Sequence, residues 1–251
     1  MKKKIAILGS TGSIGKSTLE VIRKNKKNFN IVLLCANNNY KELIRQAKEF
    51  KAQNVIIKNK KLYEKVKKSL KRSSTKVYTG EISLNKIISS KLDYTMSAIV
   101  GVAGLQLTLD AIKKSKTVAI ANKESIICAW EILSESIKKH KTKVLPVDSE
   151  HFSIMELTKN ISNNEVAEII ITASGGPFLN LPLNKLRNVK PKQAINHPNW
   201  SMGKKISIDS ATMMNKIFEV IEAVKIFKLD IKNFEILIHP RSLIHAVVDS
   251  K

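Results

Sequence analysis

Three carboxylates are placed where they could do chemistry. Asp148 and Glu150 lie two apart in Asp148-Ser149-Glu150-His151, and Glu219 falls in a later helix-period stretch beside Asn215 and Lys216. In an extended segment, i and i+2 side chains point to one side, and oxygen ligands suit hard cations such as Mg²⁺ or Mn²⁺. A lone pair of this kind also reads as a solvated surface pair, so Glu219 is what makes a cation site worth considering. The periodicity predicts a helix over 211–227, where Met213, Met214, Ile217, Phe218, Val220 and Ile221 are apolar. Polar groups on such a helix need partners, whether in an internal network or on a ligand. Ser210 precedes it as a candidate N-cap, at a position that could equally hold a phosphate.

A second chemical feature sits at the start of the chain. Gly9-Ser10-Thr11-Gly12-Ser13-Ile14-Gly15 follows an apolar run and opens a helical pattern. Glycines there permit a tight turn and close backbone approach, and the N–H groups of a helix start favour an anion, so the pattern points to a dinucleotide pyrophosphate. After the second apolar run, Asn37, Asn38 and Asn39 stand where an acidic residue would bond a ribose 2′-hydroxyl. Lacking that carboxylate, with Lys41 nearby, the turn favours NADPH over NADH; three asparagines forming an Asx turn is the alternative. Asn122-Lys123-Glu124-Ser125 follows an apolar strand, where open α/β sheets place ligands, and also reads as a helix cap. His197-Pro198-Asn199-Trp200-Ser201-Met202-Gly203 has the make-up of a lid loop or of an ordinary packed loop. His239 and His245, in apolar strands, read as core or interface residues.

The elements that must position these groups alternate in the first half. Strands are predicted at 4–8, 31–36, 54–57, 94–97 and 117–120, with helices at 16–25, 40–50, 62–71, 104–114 and 125–139. That alternation is the pattern of βαβ units on a parallel sheet. A basic stretch over 138–143 reads as a linker, which places one domain at 1–146 and a second at 147–251. The second holds a strand at 168–172, a glycine loop at 174–178, the 211–227 helix and one or two strands over 236–248.

Hydrophobic residues make up 43% and charged residues 26% of the 251 residues, enough apolar material for a packed core. Lysine and arginine number 44 against 21 acidic residues, a formal net charge of +23. Such a balance can attract nucleic acid or anionic membrane. Here the lysines are dispersed and aromatics are only 5%, so neither partner is expected and a compositional bias is. Cys35 and Cys128 show no paired spacing, which fits a reducing compartment. No uncharged run reaches the length of a membrane span, and a cytoplasmic protein is expected.

Taken in order, GSTGSIG, the SAIVGVAGL run at 97–105, ANKES, PVDSEH, SGGPF, HPNWSMG, KISIDSATMMNK with Glu219, and the closing IHP and IH resemble the 1-deoxy-D-xylulose 5-phosphate reductoisomerases. The resemblance implies a Rossmann-like NADPH-binding domain followed by an α/β catalytic domain, and a homodimer. It implies that Thr11, Gly12, Ser13 and Ile14 hold the NADPH phosphates, that Asn37 and Asn39 serve the adenosine half, and that Asn122, Glu124 and Gly203 border the cofactor. Asp148, Glu150 and Glu219 become the ligands of one Mg²⁺ or Mn²⁺. Lys123, Ser149, Glu150, Ser174, His197, Ser210, Asn215, Lys216 and Glu219 contact a small sugar-phosphate substrate, with Trp200 and Met202 on a closing loop. The implied reaction isomerises the ketose phosphate by retro-aldol cleavage and re-aldolisation, then reduces it with NADPH, with Lys123, Asp148, Glu150 and Glu219 as the catalytic set.

Relatives continue beyond the position of Lys251 with more of the catalytic sheet, a methionine-bearing segment over the nicotinamide and a C-terminal helical domain. The sequence therefore carries the expectation of a truncated catalytic domain that binds NADPH, turns over slowly or not at all, and self-associates. Rival readings are a homoserine- or aspartate-semialdehyde-type dehydrogenase, an inactive remnant that retains cofactor binding, and a basic nucleic-acid binder on a borrowed fold.

Overall fold

The computed structural model describes every residue except Ser201, which belongs to the HPNWSMG motif and lies outside the described residues. The chain divides into two compact units, Met1–Pro146 and Val147–Lys251.

In the first unit, seven strands form one sheet in the order β4-β3-β2-β1-β5-β6-β7. They are β1 (Lys3–Leu8), β2 (Phe29–Ala36), β3 (Asn54–Ile57), β4 (Lys76–Thr79), β5 (Leu92–Ser97), β6 (Ser115–Ile120) and β7 (Lys143–Pro146). Every pairing is parallel. Parallel strands need crossovers, and α1 (Ser13–Lys24), α2 (Tyr40–Phe50), α3 (Tyr63–Leu70), α4 (Leu105–Lys114) and α5 (Lys123–His140) lie between strands along the chain. Ile5 to Leu8, Ile31 to Ala36 and Asn54 to Ile57 are buried without alternation, as expected of strands covered on both faces. The strand order reverses between β1 and β5, and an open sheet of this kind takes ligands beyond the strand ends at such a switch point. This is an α/β Rossmann-like fold.

Two readings change here. Residues 138–143 are not a linker: α5 runs through His140, and β7 follows from Lys143 as the last strand of the first sheet. The strand β4 was not anticipated; Lys76-Val77-Tyr78-Thr79 carries one aliphatic residue, and an edge position asks for no more. Cys128 is exposed on α5, while Cys35 is buried in β2.

The second unit holds a three-stranded sheet in the order β10-β8-β9, from β8 (Val166–Ala173), β9 (Phe234–Ile238) and β10 (Ala246–Ser250). Strand β9 runs parallel to β8 and β10 antiparallel, so the 236–248 segment supplies both flanking strands. Its helices are α6 (Ser149–Leu157), α7 (Pro191–Ile195), α8 (Lys204–Ala211) and α9 (Met214–Phe227). Ile154, Val166, Ile169, Ile171, Ala223, Leu229 and Ala246 form its core. The helix expected over 211–227 is α9, which begins at Met214, and Ala211 is the last residue of α8. Met213 takes a left-handed conformation (φ 60°) between them, which stops α8 and starts α9.

Candidate functional site

The glycine turn lies at the carboxyl end of β1, and its backbone is tied to β2 by Gly9 and Ser10 N–H groups donating to the Cys35 carbonyl at 3.0 and 2.9 Å. Helix α1 then starts at Ser13, three residues earlier than the periodicity indicated, with Gly12 as a cap that has no side chain to satisfy the first amides. Its first turn holds no acidic residue. Residues 12 to 14 are exposed, so the amides of this helix start face an approach path. A Cβ on Gly12 would meet nothing nearer than the Gly9 carbonyl oxygen at 3.4 Å, whereas one on Gly15 would fall 2.4 Å from that oxygen. The two glycines therefore answer different needs, Gly15 the packing of helix on turn and Gly12 the space outside. This cradle fits a dinucleotide pyrophosphate.

Around it, Asn37 and Asn39 are exposed after β2. The Asn39 side-chain oxygen Oδ1 caps α2 by accepting from Glu42 N at 3.2 Å, so the Asx-type reading holds for that oxygen. Asn122 is 2% exposed and caps α5 by accepting from Ser125 N at 2.8 Å. Its amide donates to the carbonyls of Ile99 and Gly101. Glu124 accepts from Gly101 N at 3.3 Å. Both residues thus shape the 99–101 loop beyond β5, while Lys123 begins α5 beside them.

In the second unit, one cavity of about 190 Å³ gathers most of the remaining candidates. Asp148, Ser149, Glu150, Ser174, His197, Trp200, Met202, Ser210, Asn215, Lys216 and Glu219 all line it. Gly203 does not; it is the N-cap of α8 with open space around it. The reason Asp148 and Glu150 converge differs from the pleat argument. Asp148 is the N-cap of α6 and Glu150 lies in its first turn, so a helix start aims both inward. Ser210 likewise is not an N-cap: it sits in the last turn of α8, and the α9 cap is Met213.

Ligand oxygens of Asp148, Glu150 and Glu219 lie within 4.8 Å of one another. Burial, with the charges of Glu219 and Asp148, pushes the Glu150 carboxyl up to about 7, against the pull of Lys216. Lys216 Nζ is 2.8 Å from Glu150 Oε1 and bonds Glu219 Oε2 as well. Burial opposes its charge, but the two carboxylates outweigh burial and hold its pKa above the ordinary value. Crowded, all-oxygen and acidic, the trio fits a hard divalent cation.

Behind it stands a group the sequence reading passed over. His151 is fully buried and donates from Nε2 to the Glu219 carbonyl at 2.9 Å, with Nδ1 3.6 Å from Asp148 Oδ1 and Glu222 in the same cluster. It ties α6 to α9 beside the carboxylate trio, the place that partners beyond a ligand set commonly take. His245 was read as a core or interface residue, and it lines the cavity with its ring centroid 6.4 Å from that of Trp200. Thr172, Met213 and Ser242 line the cavity without any earlier signal.

In the same cavity, hydrogen bonds fix the state of His197. Its Nδ1 accepts from Asn199 N at 3.1 Å and Trp200 N at 3.2 Å, so Nε2 carries the proton and donates to Ser174 Oγ at 3.0 Å. Gly176 N also donates to that oxygen, leaving the Ser174 hydroxyl hydrogen to bond a ligand acceptor. Burial lowers the His197 pKa from the ordinary value of about 6.5. A depressed imidazole pKa contributes stability that is present above the unfolded value and lost as pH falls through the folded one. Protonation would remove the acceptor holding Asn199 and Trp200. Trp200 fluorescence is expected to show an acid transition with its midpoint below about 6.5, absent in His197→Asn and retained in His245→Asn. A midpoint above that value, or a transition surviving in His197→Asn, would refute the role given to the ring.

Residues 5–130 match the family model described as 1-deoxy-D-xylulose 5-phosphate reductoisomerase. The chain belongs to this reductoisomerase family. A second model, described as the C-terminal domain of the same reductoisomerase, matches residues 144–227. The reductoisomerase of Pelagibacter ubique (strain HTCC1062) is 57% identical over 248 residues, covering 98% of this chain and 64% of that protein. The Zymomonas mobilis reductoisomerase, solved in complex with NADPH, aligns with a TM-score of 0.91 at 43% identity, covering all of this chain and 65% of that one. A reductoisomerase solved with NADPH, fosmidomycin and magnesium aligns at 0.92 and 36% identity, over 99% of this chain and 64% of its own. The chain thus spans just under two thirds of the length of these relatives.

Proposed function

We propose that the protein converts 1-deoxy-D-xylulose 5-phosphate to 2-C-methyl-D-erythritol 4-phosphate, an NADPH- and divalent-metal-dependent isomerisation and reduction in isoprenoid precursor biosynthesis. The observation that carries the reading is the single cavity in which Asp148, Glu150 and Glu219 meet Lys216, Ser174, Ser210 and His197. The carboxylates suit a cation, and the hydroxyls of Ser174 and Ser210 in the same cavity, with the Lys216 ammonium now held by Glu150 and Glu219, suit a phosphate ester.

In this reading Gly12, Thr11, Ser13 and Ile14 present the α1 amides to the NADPH pyrophosphate, with Asn37 and Asn39 at the adenosine end. Asn122 and Glu124 shape the loop beside it, and Gly203 and Lys123 border the cofactor and substrate. Asp148, Glu150 and Glu219 hold one Mg²⁺ or Mn²⁺, which supplies Lewis-acid stabilisation of negative charge on the substrate oxygens. Ser149 and Glu150 stand at the substrate's reacting end, and Ser174, Ser210, Asn215 and Lys216 take its phosphate. Trp200 and Met202 close over the bound molecule and exclude water. The magnesium and NADPH named for solved relatives support the cofactors. The two unpaired cysteines support a reducing, cytoplasmic setting, and a homodimer is the assembly expected from the family.

The test is loss of reduced-nicotinamide absorbance when the purified chain is given NADPH, Mn²⁺ and 1-deoxy-D-xylulose 5-phosphate. Oxidation that needs the sugar phosphate and stops with a chelator is expected. Metal-independent oxidation with a semialdehyde would contradict the reading, because a dehydrogenase of that other class has no use for the three carboxylates; NADPH binding with no oxidation by the sugar phosphate would select the inactive remnant instead.

A further inference from the structure

Lys216 occupies an unusual position among the cavity residues. It is 5% exposed, and its ammonium bridges Glu150 and Glu219, two of the three carboxylates assigned to the cation. The remaining oxygens of that pair are also engaged: Glu219 Oε1 accepts from the Asn215 amide, and Glu150 Oε2 accepts from Ser149 Oγ at 2.7 Å. A divalent cation bound by Glu150 and Glu219 would lie within a few ångströms of the ammonium and repel it strongly. A buried ammonium without an anionic partner is costly, while a lysine head on its four-carbon stem can be re-aimed. Ser174 and Ser210, hydroxyl donors suited to an anion, line the same cavity.

We propose that Lys216 is an exchangeable counter-ion: the metal displaces its ammonium from Glu150 and Glu219, and the displaced ammonium goes to the phosphate group of the ligand. The inference rests on the cation site of the preceding section and adds a coupling to it. Metal and phosphate then bind cooperatively because each completes the exchange that the other begins. The coupling must be reciprocal, so a phosphate group tightens metal binding by the same factor as metal tightens phosphate binding.

Mn²⁺ binding followed by electron paramagnetic resonance, with and without methyl phosphonate, tests this in the whole chain and in two variants. Lys216→Met removes the competitor and is expected to tighten Mn²⁺ by a factor of about 5 to 150, the usual range of such couplings. In the wild type methyl phosphonate should tighten Mn²⁺ by a comparable factor, and in Lys216→Met it should have no such effect. Lys216→Arg retains a cation and should not exceed wild-type Mn²⁺ affinity. A lysine serving only to hold the fold would give the opposite, so a folded Lys216→Met with equal or weaker Mn²⁺ affinity overturns the proposal. Methyl phosphonate coupling that survives in Lys216→Met also overturns it. If Lys216→Met unfolds without metal, recovery of its circular dichroism on adding Mn²⁺ supports the exchange and failure to recover refutes it. A wild type that binds no Mn²⁺ removes the cation site itself, a failure distinct from loss of the coupling alone.

Discussion

Gly12→Val is expected to leave the first unit folded and to weaken NADPH binding by at least about 100-fold. The cap residue has an extended conformation (φ −78°, ψ 176°) that valine adopts readily, and the space around its Cβ is open to 3.4 Å. The protein itself therefore has no quarrel with a side chain there. A pyrophosphate drawn against the α1 amides does, and loss of two charge-assisted hydrogen bonds costs about 3–6 kcal/mol, which exceeds the 2.7 kcal/mol or so of a 100-fold change. Gly15→Ala provides the contrast. Its Cβ would lie 2.4 Å from the Gly9 oxygen and 2.6 Å from Ser10 Cα, contacts with backbone that cannot be relieved by rotating a side chain. Overpacking of that kind costs about 2–3 kcal/mol, or roughly 5–10 °C in melting temperature for a chain of this size. Calorimetric titration with NADPH and a thermal melt separate the two effects. Equal NADPH affinity for wild type and Gly12→Val would show that the turn is only structural.

The second large effect is expected at the other glycine loop. Gly176 has φ +69°, and a Cβ there would meet the Ser210 carbonyl oxygen at 2.6 Å, so the position is closed both by conformation and by space. Left-handed strain of about 1–2 kcal/mol and a backbone clash of about 1–3 kcal/mol act together in Gly176→Ala. The loop bearing Ser174 would be pushed off the last turn of α8, which bears Ser210, and these are the two hydroxyls assigned to the phosphate. Inorganic phosphate should then bind at least about tenfold more weakly, one lost hydrogen bond to a charged group being enough. Gly175→Ala is the control, because its φ of +84° brings the same kind of strain but its Cβ meets only the flexible Leu179 side chain at 2.7 Å. It should lose stability without a comparable loss of phosphate. Equal phosphate loss in both variants would mean that the loop does not align the two serines.

What could be read from the chain before its structure follows from how local the information was. The glycine turn was legible because its cause is local: a strand, three glycines and a helix start within a few residues. The strands β1, β2 and β3 were legible because continuous burial demands continuous apolar sequence. By contrast, β4 escaped because an edge strand is only half buried. The break between α8 and α9 escaped because it turns on one non-glycine residue, Met213, in a left-handed conformation that no residue pattern announces. The convergence of Asp148 and Glu150 was expected on the wrong ground, since spacing alone does not distinguish a pleat from a helix start. His151 and His245 were under-read for the same reason: their neighbours across the unit, Glu219, Glu222 and Trp200, are distant in sequence. Side-chain commitments such as those of Asn122 and Lys216 emerge only when tertiary partners are known.

The central claim is that one divalent cation is held by Asp148, Glu150 and Glu219 in a unit separate from the one that binds NADPH. Mn²⁺ titration of the wild type and of Glu150→Gln by electron paramagnetic resonance, paired with calorimetric titration of NADPH, tests it most directly. The account predicts a single Mn²⁺ per chain in the wild type, an affinity lower by at least about 100-fold in Glu150→Gln, more than loss of an indirect ligand partner commonly costs, and the same NADPH affinity in both. Unchanged Mn²⁺ affinity in Glu150→Gln would contradict it.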